Sequence, residues 1–221
     1  MESDITIPFQ PDLVSIINKQ NGKHGLILAH GLKDDMNTGI IPSLAKKLAE
    51  KNISSLRFNF PFRINGKKYA DDVGTLDNAY LAVWHYATEK YPDINWLVSG
   101  IDIGAETAIR ASSLMMTPDG SIPTIISLNY PLYPPNKPEQ VDASSLGAIM
   151  GDALFIQGDE SNQGSFDRLR NSIHMISPHA ELSKIRGANH EFKVKDKTFD
   201  RVAFWISNDI EKFIKNAYGY L

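Results

Sequence analysis

The stretch LVSGIDIGAETAIRAS, Leu97–Ser112, decides how this chain is to be read. An apolar run of strand length ends at Gly100, and Ala105, Ala108, Ile109 and Ser112 then recur at helical spacing. Between the two lies Gly100-Ile101-Asp102-Ile103-Gly104, in which two glycines flank a central residue at the spacing of a nucleophile elbow. Glycine at both positions leaves room for a sharp strand-to-helix turn that projects residue 102 at its apex. Serine is the usual occupant of that apex, and here it is aspartate. Asp102 is therefore a working nucleophile, the trace of a lost one, or a turn residue.

Working outward, strand-length apolar runs recur at His24–Gly31, Ile53–Phe60, Asn95–Gly100, Thr124–Tyr130, Ala153–Gly158 and Ala180–Gly187. Such near-continuous runs suit a sheet covered on both faces. Segments of helical period lie between them: Ile40 to Leu48, Val73 to Ala87, Ala105 to Ser112, Phe166 to Ile176 and Val202 to Ala217. This alternation predicts a mainly parallel α/β sheet with right-handed crossovers. The first two dozen residues, with DLVSIINK, are expected to add one or two antiparallel edge strands. Residues 61–72 and the proline-rich 131–145 read as irregular loops.

Composition narrows the functional classes. The 221 residues fit one domain, 1–221, with a full core. A formal charge of −3 gives no electrostatic footprint for nucleic acid or an anionic membrane. With no cysteine, thiolate catalysis and disulfides are excluded. The opening MESDITIPF lacks the basic and long apolar regions of a signal peptide, and no apolar run reaches the roughly 20 residues of a membrane span, so a soluble cytoplasmic protein is expected. The partner expected is a small-molecule substrate; oligomeric state is not legible.

In a parallel sheet the carboxyl ends of the strands share one edge, which brings four turns together: HGLKDDMN, GIDIGA, GDESN and GANHEF. Their order along the chain is that of an oxyanion loop, a nucleophile elbow, an acid loop and a histidine turn. On these residues, with HGxxxDMN (His30 to Asn37), LRFNFP (Leu56 to Pro61), LNYPL, LFIQG and GANH, the chain resembles the dienelactone-hydrolase-like branch of the α/β-hydrolase superfamily. The resemblance implies a single-domain α/β-hydrolase fold of about seven or eight strands without a cap domain, and hydrolysis of a small ester-like or related substrate without a cofactor. It further implies a histidine at His190, an acid three residues after Gly158, and oxyanion donors in the amides of Leu32 and Ile103.

Two of the three catalytic positions depart from that pattern. Asp102 replaces the serine, and Ser161 stands where the acid is expected. The neighbouring Asp159 is taken as the acid, with Glu160 and Ser161 as alternatives, so that the expected site is Asp102, His190 and Asp159. A carboxylate attacking an ester carbonyl would form an anhydride, whereas attack at a saturated carbon forms an ester that a histidine-activated water can hydrolyse. The alternatives are thus an aspartate-nucleophile hydrolase of epoxides or C–halogen bonds, a general-base Asp/His site, and a degenerate site kept for binding. An open cleft with Asp102 and His190 in hydrogen-bond reach at its base favours an enzyme; one filled by Phe62 or Tyr133 favours binding.

Other candidates are read as structural. His30 is expected to brace its loop. His24, His85, His174 and His179 lack ligand spacing, so no metal site is expected. Glu106 and Arg110 are expected to pair along the helix, although Glu106 also lies one turn from Asp102, where burial would raise the pKa of either acid. Asp35 is expected to cap the next helix, and Arg63 with Asn65–Lys68 to be solvated loop charge or a basic rim.

Overall fold

Each of the six apolar runs becomes a strand of one sheet in the computed structural model, which describes residues 2–176 and 180–219. The strands are β1 (Glu2–Ile7), β2 (Leu13–Asn18), β3 (His24–Ala29), β4 (Ser54–Phe58), β5 (Asn95–Ile101), β6 (Ile125–Leu128), β7 (Ala153–Gly158) and β8 (Ala180–Ile185). Their order across the sheet is β1-β2-β4-β3-β5-β6-β7-β8, parallel from β4 to β8. The expected edge strands are both present, β1 and β2 being antiparallel to each other and β2 to β4. The helices are α1 (Ile41–Ala49), α2 (Pro61–Ile64), α3 (Val73–Lys90), α4 (Ile103–Ser112), α5 (Phe166–Ile176) and α6 (Phe199–Tyr218). His179, one of the histidines weighed above, lies outside the described residues.

Alternation along the central strands divides the core in two. Ile27, Val98, Ile125 and Phe155 face α3, α4 and α5, while Leu26, Leu28, Leu97, Ile126, Leu154 and Ile156 face α1 and α6. Burial on both faces explains why these strands are apolar throughout rather than alternating apolar and polar. The helix boundaries follow local signals: the side chains of Asp72 and Thr198 accept the amides of Thr75 and Arg201, and Gly219 ends α6 at φ 74°. Residues 61–72 are not wholly irregular, since they begin with the turn of α2, and 131–145 runs into a 3-10 turn at Ser144–Ala148. No helix among the described residues is long and apolar enough to cross a membrane.

One buried polar contact ties a helix to the sheet centre. The fully buried Tyr80 hydroxyl on α3 lies 3.0 Å from the Ile27 carbonyl and 2.8 Å from the Ser99 carbonyl, and it accepts the Ser99 amide at 2.8 Å. It thus spans β3 and β5, the two strands that end at the oxyanion loop and the elbow. Tyr80→Phe is expected to destabilise the fold by about 1–3 kcal/mol, read as a lower midpoint in urea at unchanged slope.

Candidate active site

The turn from β5 into α4 holds Asp102 at φ 56°, ψ −126°, a backbone conformation that a side chain rarely adopts and that costs about 1–3 kcal/mol. Both glycines of the elbow are required by close approach rather than by flexibility. A Cβ on Gly100 would lie 2.3 Å from the Gly104 backbone, and one on Gly104 would lie 2.7 Å from the His30 carbonyl oxygen. Gly31 serves the same purpose across the gap, since a Cβ there would press on Asp102 at 3.1 Å. Gly100→Ala is expected to destabilise the fold by about 1–3 kcal/mol through overpacking, measured by thermal or urea unfolding.

The Asp102 carboxylate lies between two donors. Oδ2 accepts the Leu32 amide at 2.9 Å, and Oδ1 lies 3.2 Å from His190 Nε2. Burial pushes the Asp102 carboxyl up, but the His190 hydrogen bond and charge, with the Leu32 and Ile103 amides, outweigh it and hold the group below the usual carboxylate range. The two amides expected to receive a substrate oxyanion therefore act on the protein's own carboxylate.

On the far side of the imidazole the expected acid is not found. His190 Nδ1 meets Ser161 Oγ at 2.9 Å. Asp159 Oδ1 instead accepts the Gly187 amide at 2.6 Å, and Glu160 is exposed. The backbone accounts for this. The amides of Asp159 and Glu160 donate to the carbonyls of Ile185 and Ala188, continuing the β7–β8 pairing, so the third residue after Gly158 is the one that comes beneath the ring. The hydrogen bonds also orient the imidazole. A carboxylate oxygen only accepts, so Nε2 carries a proton toward Asp102, and the Ser161 hydroxyl is free to donate to Nδ1.

Several bracing residues escaped the sequence reading. Asn129, fully buried at φ 46°, accepts the Gly158 amide at 2.7 Å and donates to the carbonyls of Asn189 and His190 at 3.1 and 2.8 Å, so one side chain joins β6, β7 and the histidine turn. Arg63 is not a substrate rim: its guanidinium holds the carbonyls of Leu32 and Asp34 at 2.5 and 2.8 Å and so orients the oxyanion loop. His30 braces its loop as expected. Phe60 donates to Nε2 at 3.0 Å and Nδ1 bonds the Gly31 carbonyl at 2.8 Å, while burial pushes the ring down to about 4, which keeps it neutral. Asp35 does not cap α1; its carboxylate accepts the Asn37 amide within the loop. Among the described residues no cluster of histidines and acids could hold a metal ion.

Above Asp102 and His190 opens a cavity of about 350 Å³, walled by Leu32, Ile103, Glu106, Pro131 and Tyr133 among others. Phe62 does not fill it, being packed in the core against His30, and Tyr133 lines it, its hydroxyl held by the Ser165 amide at 2.9 Å. Arg110 does not pair with Glu106. It turns to Asp77 on α3, with Nη2 to Oδ1 at 2.9 Å. Glu106 is left facing the cavity, where burial, opposed by Arg110 and reinforced by the Asp102 and Asp142 charges, pushes it up to about 7. Because that value exceeds the carboxyl's unfolded one, the stabilisation from its neutral form is complete at acid pH and is lost as pH rises through about 7. The loss begins as pH passes the ordinary carboxyl value of 4.5, so Glu106→Gln is expected to raise the melting temperature near pH 8 relative to the parent and to leave it nearly unchanged only near pH 4, by calorimetry.

The order of elements, the elbow and the cleft define an α/β fold carrying a hydrolase-type site. The chain belongs to the α/β hydrolase domain family, whose model it matches over residues 22–215. Similar solved structures include an α/β serine hydrolase homologue from Coxiella burnetii, at 18% identity and TM-score 0.75 over 94% of this chain and 97% of that one. A serine hydrolase without a lid from Xanthomonas campestris is similar at 16% identity and TM-score 0.75, over 98% and 94%. A dienelactone hydrolase from Anabaena variabilis is similar at 17% identity and TM-score 0.72, over 94% and 95%. At these identities the likeness is one of fold, here without a cap. No curated protein matches the chain by sequence.

Proposed function

We propose that this protein is a hydrolase that acts at a saturated, electrophilic carbon of a small substrate, an epoxide or an alkyl halide, through an ester formed on Asp102. The observation that carries the reading is Asp102 Oδ2 on the Leu32 amide. With the Leu32 amide taken by that oxygen, an ester substrate lacks this donor for its own developing charge, and attack on its carbonyl would give an anhydride. Attack by Oδ1 on a saturated carbon keeps Oδ2 where it is. Oδ2 becomes the carbonyl oxygen of the new ester, already bonded to the Leu32 amide that is to hold its charge when water attacks Cγ. His190 Nε2 is the group in reach to take the proton from that water.

The Ser161 contact sets which step is slow. A base at Nε2 needs the ring proton on Nδ1, and a carboxylate there would hold it firmly; a hydroxyl accepts it more weakly. The second step is thus expected to lag, with the covalent ester building up. Incubated with styrene oxide, the parent is expected to show one added substrate mass on the peptide containing Asp102, His190→Gln to accumulate it fully, and Asp102→Ala to show none. Ser161→Asp is expected to speed loss of the adduct by about 10²–10⁴-fold, the scale on which the acid matters in serine enzymes. If styrene oxide and an alkyl bromide both leave the parent unmodified, while Asp102→Ser gains strong aryl-esterase turnover, the reading gives way to a serine hydrolase that has lost its nucleophile.

A further inference from the structure

Opening an epoxide requires that the ring oxygen receive a proton as its bond to carbon breaks. An imidazole whose one proton is on Nε2 would be left as an imidazolate by supplying it, and the described residues include no cap over the site to bring in another donor. Besides Asp102, the cavity is lined by the acids Asp34, Glu106, Asp142 and Glu191 and by the Tyr133 hydroxyl. Asp142 is held below the usual carboxylate range by Ser144 and Glu191 by Lys193 and Lys33, the Asp34 carboxyl sits against Gly39, and Tyr133 accepts the Ser165 amide. Glu106 stands on α4 one turn beyond Asp102, lines the same cavity, and has no hydrogen-bond or ion-pair partner among the described residues. Its expected partner is committed elsewhere: Arg110 is held bidentately by Asp77 and also reaches Thr107 Oγ1 at 3.1 Å. A half-buried carboxyl left without partners on the wall of a cavity is either poorly placed or placed for something that enters it.

We propose that Glu106 is the proton donor to the leaving oxygen and that the preferred substrate class is therefore the epoxide. The inference rests on the Asp102 ester proposed above. An electron pair of Asp102 Oδ1 forms a bond to a ring carbon, the carbon–oxygen bond of the ring breaks, and its pair takes the Glu106 proton, leaving a hydroxyl and the Glu106 carboxylate. With the ring proton moved from Nε2 to Nδ1, where Ser161 Oγ accepts it, water adds to Asp102 Cγ and gives one proton to His190 Nε2, with the resulting charge on Oδ2. Collapse expels the alkoxide, which takes the His190 proton to complete the diol. The proton that came in on the attacking water's oxygen remains on the Asp102 carboxyl and passes to Glu106, restoring both acids. The sum is epoxide plus water to vicinal diol, with no other reactant.

Electrostatics agree with this placement. The groups that face Glu106 are Asp102 and Arg110 on its own helix, Asp142 from the 131–145 loop and Tyr130 from the end of β6. Arg110 alone favours the carboxylate, and its charge is shared with Asp77; burial and the two acids favour the neutral form, so that Glu106 stays protonated up to about neutral pH.

The test compares two electrophiles that differ in whether departure needs a proton. The rate at which Asp102 is alkylated in a single turnover is measured by mass spectrometry with styrene oxide and with 2-phenylethyl bromide, in the parent and in Glu106→Gln. Expected is a loss of roughly 100-fold or more with the epoxide, within the range assigned to general acid catalysis, and a change under about 3-fold with the bromide. In the parent the epoxide rate is expected to fall as pH rises through about 7, whereas the bromide rate stays flat. Glu106→Asp, which keeps the acid on a shorter arm, is expected to recover part of the epoxide rate. Equal rates for parent and Glu106→Gln with the epoxide, or equal losses with both electrophiles, would overturn the assignment of Glu106 while leaving the Asp102 ester standing. No adduct from either electrophile in the parent would overturn both.

Discussion

Everything distinctive about this site depends on one carboxylate held in a strained turn. At φ 56°, ψ −126° the Asp102 backbone turns sharply from β5 into α4, and its side chain stands out at the apex with Oδ2 on the Leu32 amide and Oδ1 against His190. A strain of about 1–3 kcal/mol persists in a structure only where the surroundings hold it in place. Here they do so by contact: the backbones of Gly100 and Gly104 meet too closely for side chains, and Gly31 leaves the width of one carboxylate between the oxyanion loop and the elbow. The elbow's geometry is thus retained in full although its usual side chain is not.

The sheet supplies the rest of that precision. β3 lies between β4 and β5, so the oxyanion loop after β3 and the elbow after β5 leave adjacent strands at the same edge. Tyr80 clamps those two strands from α3, Arg63 fixes the loop's carbonyls from α2, and Asn129 ties the histidine turn to β6 and β7. None of these three side chains reaches the cavity floor, yet each sets the position of one that does. Chemistry at a carboxylate requires reacting groups placed to within a fraction of an ångström, and rigid supports of this kind are how a fold provides it.

The fold was legible because its signals are local and repeated: continuous apolar runs of strand length, helical stripes between them, and glycines at the elbow. The meeting of Asp102, His190 and the Leu32 amide in one candidate site was legible because it depends on chain order. It was not legible where a side chain's direction is decided by the backbone of a turn. Asp159 is the more acidic choice in GDESN, but continued β7–β8 pairing sends it to the Gly187 amide and brings Ser161 to His190. Arg110 likewise stands at the right spacing for Glu106, and what sends it to Asp77 is a neighbour 33 residues away on α3. Asn129 gave no signal beyond its place in LNYPL, since a buried asparagine in a turn has no sequence pattern of its own.

The pair of departures from the serine pattern is best understood as a single change in where charge sits. A serine site has a neutral group at the elbow and a carboxylate behind the histidine, so the ring keeps its proton on Nδ1 and offers a lone pair at Nε2. Here the carboxylate is in front and the hydroxyl behind. The count of charged groups is the same, but the resting imidazole is turned to donate toward the elbow. That arrangement suits a site whose first step is made by the carboxylate itself, because Nε2–H then steadies the attacking group instead of deprotonating it. It suits the following hydrolysis less well, and Ser161 is the reason: a hydroxyl can donate to Nδ1 in the first step and accept from it in the second, which a carboxylate cannot do, but it holds the second state weakly. An aspartate at position 161 would favour the second step at the expense of the first, by placing a second negative charge behind a ring already facing Asp102.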